Sequence, residues 1–175
     1  MICSLQGLAE EFAQRLNVEA PDLPQPSTGD AISGVAPGSP PKQEQRVAYA
    51  DYRLKGYHLE VTAKPEQLLL ATRVLDAHGF ALDAITGVDW MAQDQMEVVY
   101  DFFHPAASCR VLLRARVPRS EPVLPSIARI YPGADWHERE THDFFGIRFQ
   151  GHANLAPLLL PEDANFHPLR KDFAT

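Results

Sequence analysis

The chain has 175 residues, 45% of them apolar, which is enough for one domain with a hydrophobic core. The 16 basic and 23 acidic residues give a formal net charge of −7, which argues against a nucleic-acid binder or a protein of anionic membrane surfaces. No run of about 18 apolar residues occurs, so no transmembrane helix is predicted. The two cysteines, Cys3 and Cys109, do not indicate a disulfide framework.

The chain is predicted to begin with a helix over residues 1–17. It carries Glu10 and Glu11 and lacks a basic leading stretch, so it does not resemble a signal peptide. Its apolar side chains recur at helical spacing, at Leu5, Leu8, Phe12 and Leu16. Residues 18–46 are predicted to be a linker, because closely spaced prolines and glycines interrupt any helix there. No role is predicted for this linker.

An α+β core domain is predicted over residues 47–146. Alternation of apolar and polar residues indicates strands, in chain order, at 57–62, 81–90, 96–103 and 110–117. A helix opens at Pro65 and ends near Gly79. The short connection between the last two strands predicts a hairpin, in which Glu97 or Asp101 faces an arginine of the last strand.

Two helices are predicted to complete the core. One is short and ends near residues 131–133, and the other covers about 135–145 and ends at Gly146. Residues 147–175 contain three prolines and little apolar periodicity, so they are predicted to form an extended C-terminal arm. The predicted fold is therefore α+β, a mixed or antiparallel sheet with helices packed on it and an irregular arm.

The longer predicted helix contains a motif that resembles a zinc site, with His137 and His142 on either side of an acidic stretch. A helical zinc protease motif needs its histidines four residues apart on one face. Here they are five apart, and at about 100° per residue they point in different directions. The spacing argues against a metal, and a free-standing hydrolase that uses the His137–His142 region stays as a third alternative. It places Glu138 near His142 and Arg139 near Asp143, which allows local pairs along the helix.

Other catalytic motifs are also missing from the sequence. Gly146 and Gly151 have the spacing of a phosphate-binding loop, but His152 and Ala153 stand where lysine and serine or threonine are required. No dinucleotide-binding glycine motif follows a predicted strand. Two separated cysteines do not suffice for an ordinary iron–sulfur cluster. The residues therefore predict no catalytic, cofactor or metal site in this chain.

The C-terminal third carries several motifs in a fixed order. They are Trp136, Glu138-Arg139-Glu140, Asp143-x-Phe145-Gly146-Ile147-x-Phe149-x-Gly151-His152 and Pro168-Leu169-Arg170-Lys171-Asp172-Phe173. This order and spacing closely resemble the signature of the 30 kDa subunit of respiratory complex I. The order of predicted elements upstream also resembles that family, so the resemblance extends over about residues 47–173.

The resemblance implies a non-catalytic scaffold subunit in the peripheral arm of an ion-pumping NADH–quinone oxidoreductase. Such a subunit carries no cofactor, packs on the large quinone-site subunit and on iron–sulfur subunits, and reaches the cytoplasmic face of a prokaryotic inner membrane only through these partners. The residues that the resemblance assigns to the signature and to docking are Glu138, Arg139, Glu140, Asp143, Gly146, Gly151, His152, Pro168, Leu169, Arg170, Lys171 and Asp172.

Two further expectations concern the C-terminal arm. The C-terminal arm is expected to extend over the large subunit, with Arg170 and Asp172 making charged contacts there. Trp136, Phe144, Phe145 and Phe149 are expected to be packing residues that seat the arm. Complex I-related membrane-bound [NiFe] hydrogenases contain a homologous domain, so the equivalent subunit of such a hydrogenase is the alternative.

Overall fold

The computed structural model describes residues 4–22 and 45–174. Cys3 and most of the predicted linker lie outside these described residues. The helices are α1 (Leu5–Leu16), α2 (Tyr52–Lys55), α3 (Leu68–Ala77) and α4 (Ala134–Phe145). The strands are β1 (Arg46–Tyr49), β2 (Leu59–Ala63), β3 (Ala81–Trp90), β4 (Gln95–His104), β5 (Cys109–Pro118), β6 (Val123–Pro125) and β7 (Arg148–Gln150). This arrangement confirms the predicted α+β class.

Five strands form one mixed sheet in the order β1-β2-β5-β4-β3. Strand β2 runs parallel to β5, and the other neighbouring pairs are antiparallel. The β4–β5 hairpin is present as predicted, with Glu97 opposite Arg116. Strands β1 and β3 therefore form the two edges of this sheet.

One face of the sheet is apolar and carries the helices. Alternate residues of β4 and β5 project from this face and are fully buried, because successive side chains of a strand point to opposite faces. The most deeply buried of them are Val98, Tyr100, Phe102, Val111, Leu113 and Ala115. Helix α1 packs against α3, β1 and β2 and buries Leu8, Phe12 and Leu16 there. The N-terminal helix thus contributes directly to the main core.

The opposite face of the sheet carries a network of charged side chains. The Nε atom of Arg116 donates to Glu97 at 2.9 Å, and the Trp90 indole donates to the other oxygen of Glu97 at 3.0 Å. Arg114 lies between Glu97 and Glu60, and Arg110 donates to Asp101. The predicted pairing of Glu97 or Asp101 with an arginine is confirmed for both residues.

The short helix predicted before residue 131 is wrong. Residues 123–125 form strand β6, which pairs in parallel with β7, and a turn closed by a hydrogen bond from Tyr131 N to Ile127 O follows. Pro125 lies within β6 and disfavours helical geometry at the residue before it. The partner of β6 lies some 25 residues further along the chain, so no local pattern reveals this pair. Strand β7 also means that the C-terminal arm begins with a short paired strand.

No helix within residues 4–22 and 45–174 is long and apolar enough to cross a membrane.

Candidate functional site

Helix α4 lies against β3, and Gly87 of β3 permits the close approach. A Cβ atom at residue 87 would lie 2.5 Å from the Phe145 ring, which is closer than Cβ atoms in proteins come to neighbouring atoms. The predicted end of the helix is confirmed, because Gly146 adopts a left-handed conformation with φ of 73°. Helix α4 is therefore fixed on the sheet at its C-terminal end, where the C-terminal arm begins.

Glu138 of α4 is fully buried and binds the segment that follows β6. Its two oxygens accept hydrogen bonds from the Ser126 hydroxyl at 2.6 Å and from the Ile127 backbone N–H at 2.7 Å. Burial raises the pKa of Glu138, although these two donors partly oppose the shift. The predicted local pair between Glu138 and His142 is not formed, and the His142 Nδ1 atom instead donates to Ile147 O at 2.9 Å.

The side chain of His152 is also buried, beside Glu138. The Asn154 backbone N–H donates to His152 Nδ1 at 3.1 Å, so the ring proton is on Nε2, which donates to Asp135 O at 3.2 Å. The Nε2 atom lies 3.9 Å from the nearer Glu138 oxygen. His152 thus helps to fix the start of the C-terminal arm against the first half of α4.

Asp143 binds the middle of the C-terminal arm through one oxygen. Its Oδ2 atom accepts hydrogen bonds from three successive backbone N–H groups, those of Leu158, Leu159 and Leu160, at 2.7 to 3.2 Å. Burial alone would raise the pKa of Asp143, but these three donors outweigh it and hold the pKa below its usual value. A single carboxylate therefore orders three consecutive residues that have no regular secondary structure.

Arg139 binds the residues just before that turn. Its guanidinium donates to Ala156 O and Pro157 O, both at 2.9 Å, so the predicted pair between Arg139 and Asp143 is replaced by contacts with the C-terminal arm. The guanidinium also lies over the Trp136 ring at 5.4 Å. Trp136 is 62% exposed, so the prediction that it is a packing residue is wrong. It faces solvent because it lies on the outer side of α4.

The last part of the C-terminal arm returns to the end of α4. Three carbonyl oxygens of the final helical turn, those of residues 143–145, accept from His167 Nδ1, Leu169 N and Arg170 Nε, in that order. A Cβ atom at Gly146 would lie 2.5 Å from Arg170 Nη2 and from the His167 ring. Gly146 therefore serves both to end the helix and to leave space for the returning chain.

The C-terminal arm ends on the sheet, at Asp89 and Arg119. The buried Asp89 carboxylate accepts from the Lys171 backbone N–H at 2.9 Å and from Arg119 Nε at 3.0 Å. Arg119 also pairs with Asp172, and that pairing lowers the pKa of the Asp172 carboxyl. Asp89 and Arg119 were not identified as site residues from the sequence. Asp89 lies at the end of a predicted strand, in the segment Thr86–Trp90 that also resembles the family, and Arg119 lies two residues beyond another predicted strand.

The remaining signature residues lie on α4 and on the C-terminal arm. Gly151 adopts a left-handed conformation with φ of 86° just after β7. Pro168 is half-buried and lies between His167 and Leu169, which both contact α4. Glu140 is exposed on α4, and the Lys171 side chain is exposed on the C-terminal arm. Phe149 is buried and the half-buried Phe145 packs against the core, as predicted for both, and Phe144 is half-buried.

The C-terminal arm exposes several large apolar side chains to solvent. Leu159 is 61% exposed and Leu169 is 54% exposed, and Phe166 stacks on Phe173 with ring centroids 5.6 Å apart. Large apolar side chains that are exposed along one segment suit contact with another molecule. Within residues 4–22 and 45–174, no group of three or more His, Cys, Asp or Glu side chains is arranged to hold a metal.

Comparison with known proteins adds an independent line of support. The sequence profile of the family "respiratory-chain NADH dehydrogenase, 30 kDa subunit" matches residues 61–175. An NADH-quinone oxidoreductase subunit of Jannaschia sp. is 40% identical over 152 residues, which is 83% of this chain and 72% of the relative. An F(420)H(2) dehydrogenase subunit of Methanosarcina mazei is 41% identical over 96 residues, 53% of this chain and 59% of the relative.

Two solved structures share the fold. A chain of the membrane-bound sulfane sulfur reductase, an archaeal respiratory membrane complex, superposes with a TM-score of 0.61 at 28% identity, covering 66% of this chain and 71% of that one. A trypsin-resistant fragment of Nqo5 (residues 1–134) gives a TM-score of 0.52 at 30% identity, covering 58% of this chain and 92% of that one. The resemblance inferred from the C-terminal motifs is confirmed: the chain belongs to the respiratory-chain NADH dehydrogenase 30 kDa subunit family.

Proposed function

We propose that this chain is a non-catalytic structural subunit in the peripheral arm of a membrane-associated, ion-pumping NADH–quinone oxidoreductase. It docks on the large quinone-site subunit and on iron–sulfur subunits, and it carries no cofactor itself. It lies at the cytoplasmic face of a prokaryotic inner membrane and reaches the membrane only through its partners. The relatives named above, which belong to respiratory enzymes, support this assignment.

The observation that carries the proposal is the construction of the C-terminal arm. Charged side chains of α4 hold this irregular segment in one conformation, while Leu159 and Leu169 remain more than half exposed. Exposed apolar side chains on a fixed support suit a docking surface, because little conformational entropy remains to be lost on binding. The same geometry supports a structural role for Glu138, Arg139 and Asp143, each of which already binds backbone groups within the chain.

The other charged signature residues fall into two groups, those with a partner inside this chain and those without a described partner. Arg170 and Asp172 were expected to contact the large subunit, but each has a partner inside this chain, Phe145 O and Arg119 respectively. We therefore assign them to positioning the C-terminal arm. The side chains of Glu140 and Lys171 are exposed, with no hydrogen bond or ion pair to any other residue within 4–22 and 45–174. Among the charged signature residues of α4 and the C-terminal arm, these two remain available to a partner.

The alternative is the equivalent subunit of a complex I-related energy-converting [NiFe] hydrogenase. The similarity to a chain of the archaeal sulfane sulfur reductase supports an alternative of this kind. It shows that the fold also occurs in a respiratory membrane complex whose name does not include NADH or quinone. The identity of the partners distinguishes the two. A quinone-site large subunit with NADH-oxidising subunits supports the first assignment, and a [NiFe] large subunit supports the second.

Affinity purification of the full-length chain from detergent-solubilised membranes tests the proposal. The chain is expected to copurify with a large subunit and iron–sulfur proteins. Recovery of the chain alone from membranes that hold the assembled enzyme would overturn the proposal.

A matched pair of leucine variants then locates the surface. Leu159→Glu places a charge on the apolar surface of the C-terminal arm and is expected to reduce copurification severalfold. Leu54→Glu is the control, because Leu54 is 82% exposed and lies on α2, away from the arm. Equal copurification of the two variants would contradict docking through the arm.

A further inference from the structure

Strand β3 forms an unpaired edge of the main sheet. It is ten residues long and pairs with β4 on one side, and no strand in the described part of the chain pairs with its other side. The backbone N–H and C=O groups along such an edge are a template for another strand. Natural proteins commonly protect exposed edges with charges or bulges, and β3 has Asp83 and a register shift between Leu82 and Ala84 near its beginning. The residues that follow, 84–88, are uncharged. The edge is therefore suited to accept an added strand.

A groove runs along this edge, between β3 and α4. Its volume is about 370 Å³, and four consecutive residues of β3, Ala84 to Gly87, form one wall. Gly87 has no side chain, so its backbone atoms form part of this wall. Phe144, Phe145 and Leu169 supply apolar surface on the other wall. The groove therefore combines backbone hydrogen-bonding groups with an apolar pocket.

The unpaired backbone of β3 favours an extended occupant. A helix already bonds its own backbone N–H and C=O groups internally and cannot pair with the β3 edge. A strand, with its side chains pointing alternately to the two sides, needs only a pocket for every second side chain. Binding of this kind, in which main-chain bonds give affinity and pockets give specificity, is an established mode of peptide recognition.

The charge at the rim indicates what the occupant carries. Glu140 lines the groove from α4 and is exposed, and it forms no hydrogen bond or ion pair with the residues that the structure describes. Apart from His137, no lining residue is basic. An unpaired carboxylate beside an apolar pocket complements a lysine or arginine that neighbours an aliphatic residue.

We infer that the groove between β3 and α4 binds an extended segment of a partner subunit, which adds to β3 as a further strand of the sheet. The segment places an aliphatic side chain against Phe144, Phe145 and Leu169, and a lysine or arginine beside Glu140. This inference rests on the proposed function, because it requires that the chain is bound within a complex.

A photo-crosslinking experiment on the assembled complex tests the inference. Benzoylphenylalanine replaces Thr86, which is exposed on β3, and the complex is purified through this chain and irradiated. The expected product is a crosslink to a partner peptide that contains an aliphatic residue next to lysine or arginine. The same substitution at Leu54, exposed on α2, measures crosslinking by random collision.

A charge reversal then tests the role of Glu140. Glu140→Lys is expected to reduce the yield of the crosslink from residue 86 severalfold. The matched control is Glu66→Lys, because Glu66 is an exposed carboxylate just before α3, outside the C-terminal arm, with no partner among the described residues. An unchanged yield with Glu140→Lys would overturn the proposed charge contact and, with it, the inferred occupant.

The outcomes separate this inference from the proposed function. If the wild-type chain copurifies with its partners but residue 86 gives no crosslink above the Leu54 background, only the groove inference is overturned. A crosslink from residue 86 to a second copy of this chain overturns it as well, because the occupant is then not a partner subunit. Failure of the wild-type chain to copurify overturns both.

Discussion

The polar face of the main sheet and the C-terminal arm are both rich in charged residues but use them differently. On the sheet, Glu97 and Arg116 pair with each other across strands that backbone hydrogen bonds already join. At the arm, Asp143 and Arg139 bind backbone N–H and C=O groups. Charge pairs therefore cover an existing structure on the sheet, whereas charge-to-backbone bonds create the structure of the arm.

This difference predicts two kinds of response to mutation. A change in the sheet network acts on the cooperative core and lowers the stability of the whole domain. A change at the arm releases a segment without a core of its own, so its effect is local. The following predictions test this division, from the largest expected effect to the smallest.

Glu97→Ala is expected to cause the largest loss of stability. Glu97 is 2% exposed, and its removal leaves the buried Arg116 guanidinium without this carboxylate partner. Breaking one side of a buried pair costs about 3–5 kcal/mol in the free energy of unfolding. Urea denaturation followed by circular dichroism measures this loss in the free energy of unfolding.

Glu121→Ala breaks the exposed pair with Arg148 and is the control, with an expected loss below about 1 kcal/mol. Equal losses would contradict the prediction.

Asp143→Ala is expected to release the middle of the C-terminal arm. Three backbone N–H groups lose a charged acceptor, and the cost of leaving such donors unsatisfied is on the order of 3 kcal/mol in total. Amide hydrogen exchange should accelerate at residues 158–160 and stay unchanged in β4 and β5. Asp163→Ala is the control, since Asp163 is exposed and lacks a described partner. Unchanged exchange at 158–160 would show that Asp143 does not hold the arm.

Gly146→Ala should loosen the return of the C-terminal arm to α4. The left-handed backbone costs a residue with a side chain about 1–2 kcal/mol, and the new methyl group would also collide with Arg170 and His167. Gly151→Ala separates the two causes, because φ is also positive there but no atom lies within 4 Å of the added Cβ. Thermal unfolding should show a larger loss for Gly146→Ala. Equal losses would mean that backbone strain alone matters.

The two buried acids of α4 should give the smallest effects, with opposite dependences on pH. The pKa of Glu138 lies above its usual 4.5, so the folded state binds this proton more tightly and stability is lost as pH rises through the folded value. The pKa of Asp143 lies below its usual 3.8, so its contribution is complete above 3.8 and is lost as pH falls through the folded value.

Denaturation of Glu138→Gln and Asp143→Asn across this pH range measures both effects. The difference in free energy of unfolding between wild type and Glu138→Gln should shrink as pH rises above 4.5. The difference between wild type and Asp143→Asn should shrink as pH falls below 3.8. Parallel pH profiles would contradict the assignment of opposite shifts.

Local sequence patterns predicted the elements that depend on local periodicity. Strands β2 to β5, their hairpin and helix α4 were predicted within a few residues of their bounds, because alternation and helical spacing record which face is buried. Strands β1, β6 and β7 and the short helix α2 were missed. The strands have four, three and three residues, too few to show alternation, and β6 and β7 depend on each other across a long stretch of chain.

The candidate site was predicted in position but not in its contacts. Helical spacing identified Glu138, Arg139 and Asp143 as residues of one helix, but it indicated partners only within that helix. In the structure these side chains bind residues that lie between 11 and 18 positions away in the chain. Contacts of this range depend on the path of an irregular segment, which no periodicity describes. For the same reason Asp89 and Arg119 were not recognised as anchors.

The three carbonyl groups at the end of α4 have a consequence for the order of folding. Their hydrogen-bond donors belong to residues 167–170, which are synthesised after the helix itself. Until those residues arrive, the final turn of α4 has to bind water and is free to fray. The Lys171 contact with Asp89 spans 82 residues, and contacts of such long range form slowly. The end of α4 and Leu169, which line the groove beside β3, should therefore reach their final positions only after the sheet has folded. A partner that binds in this groove would then bind folded chains in preference to chains that are still folding.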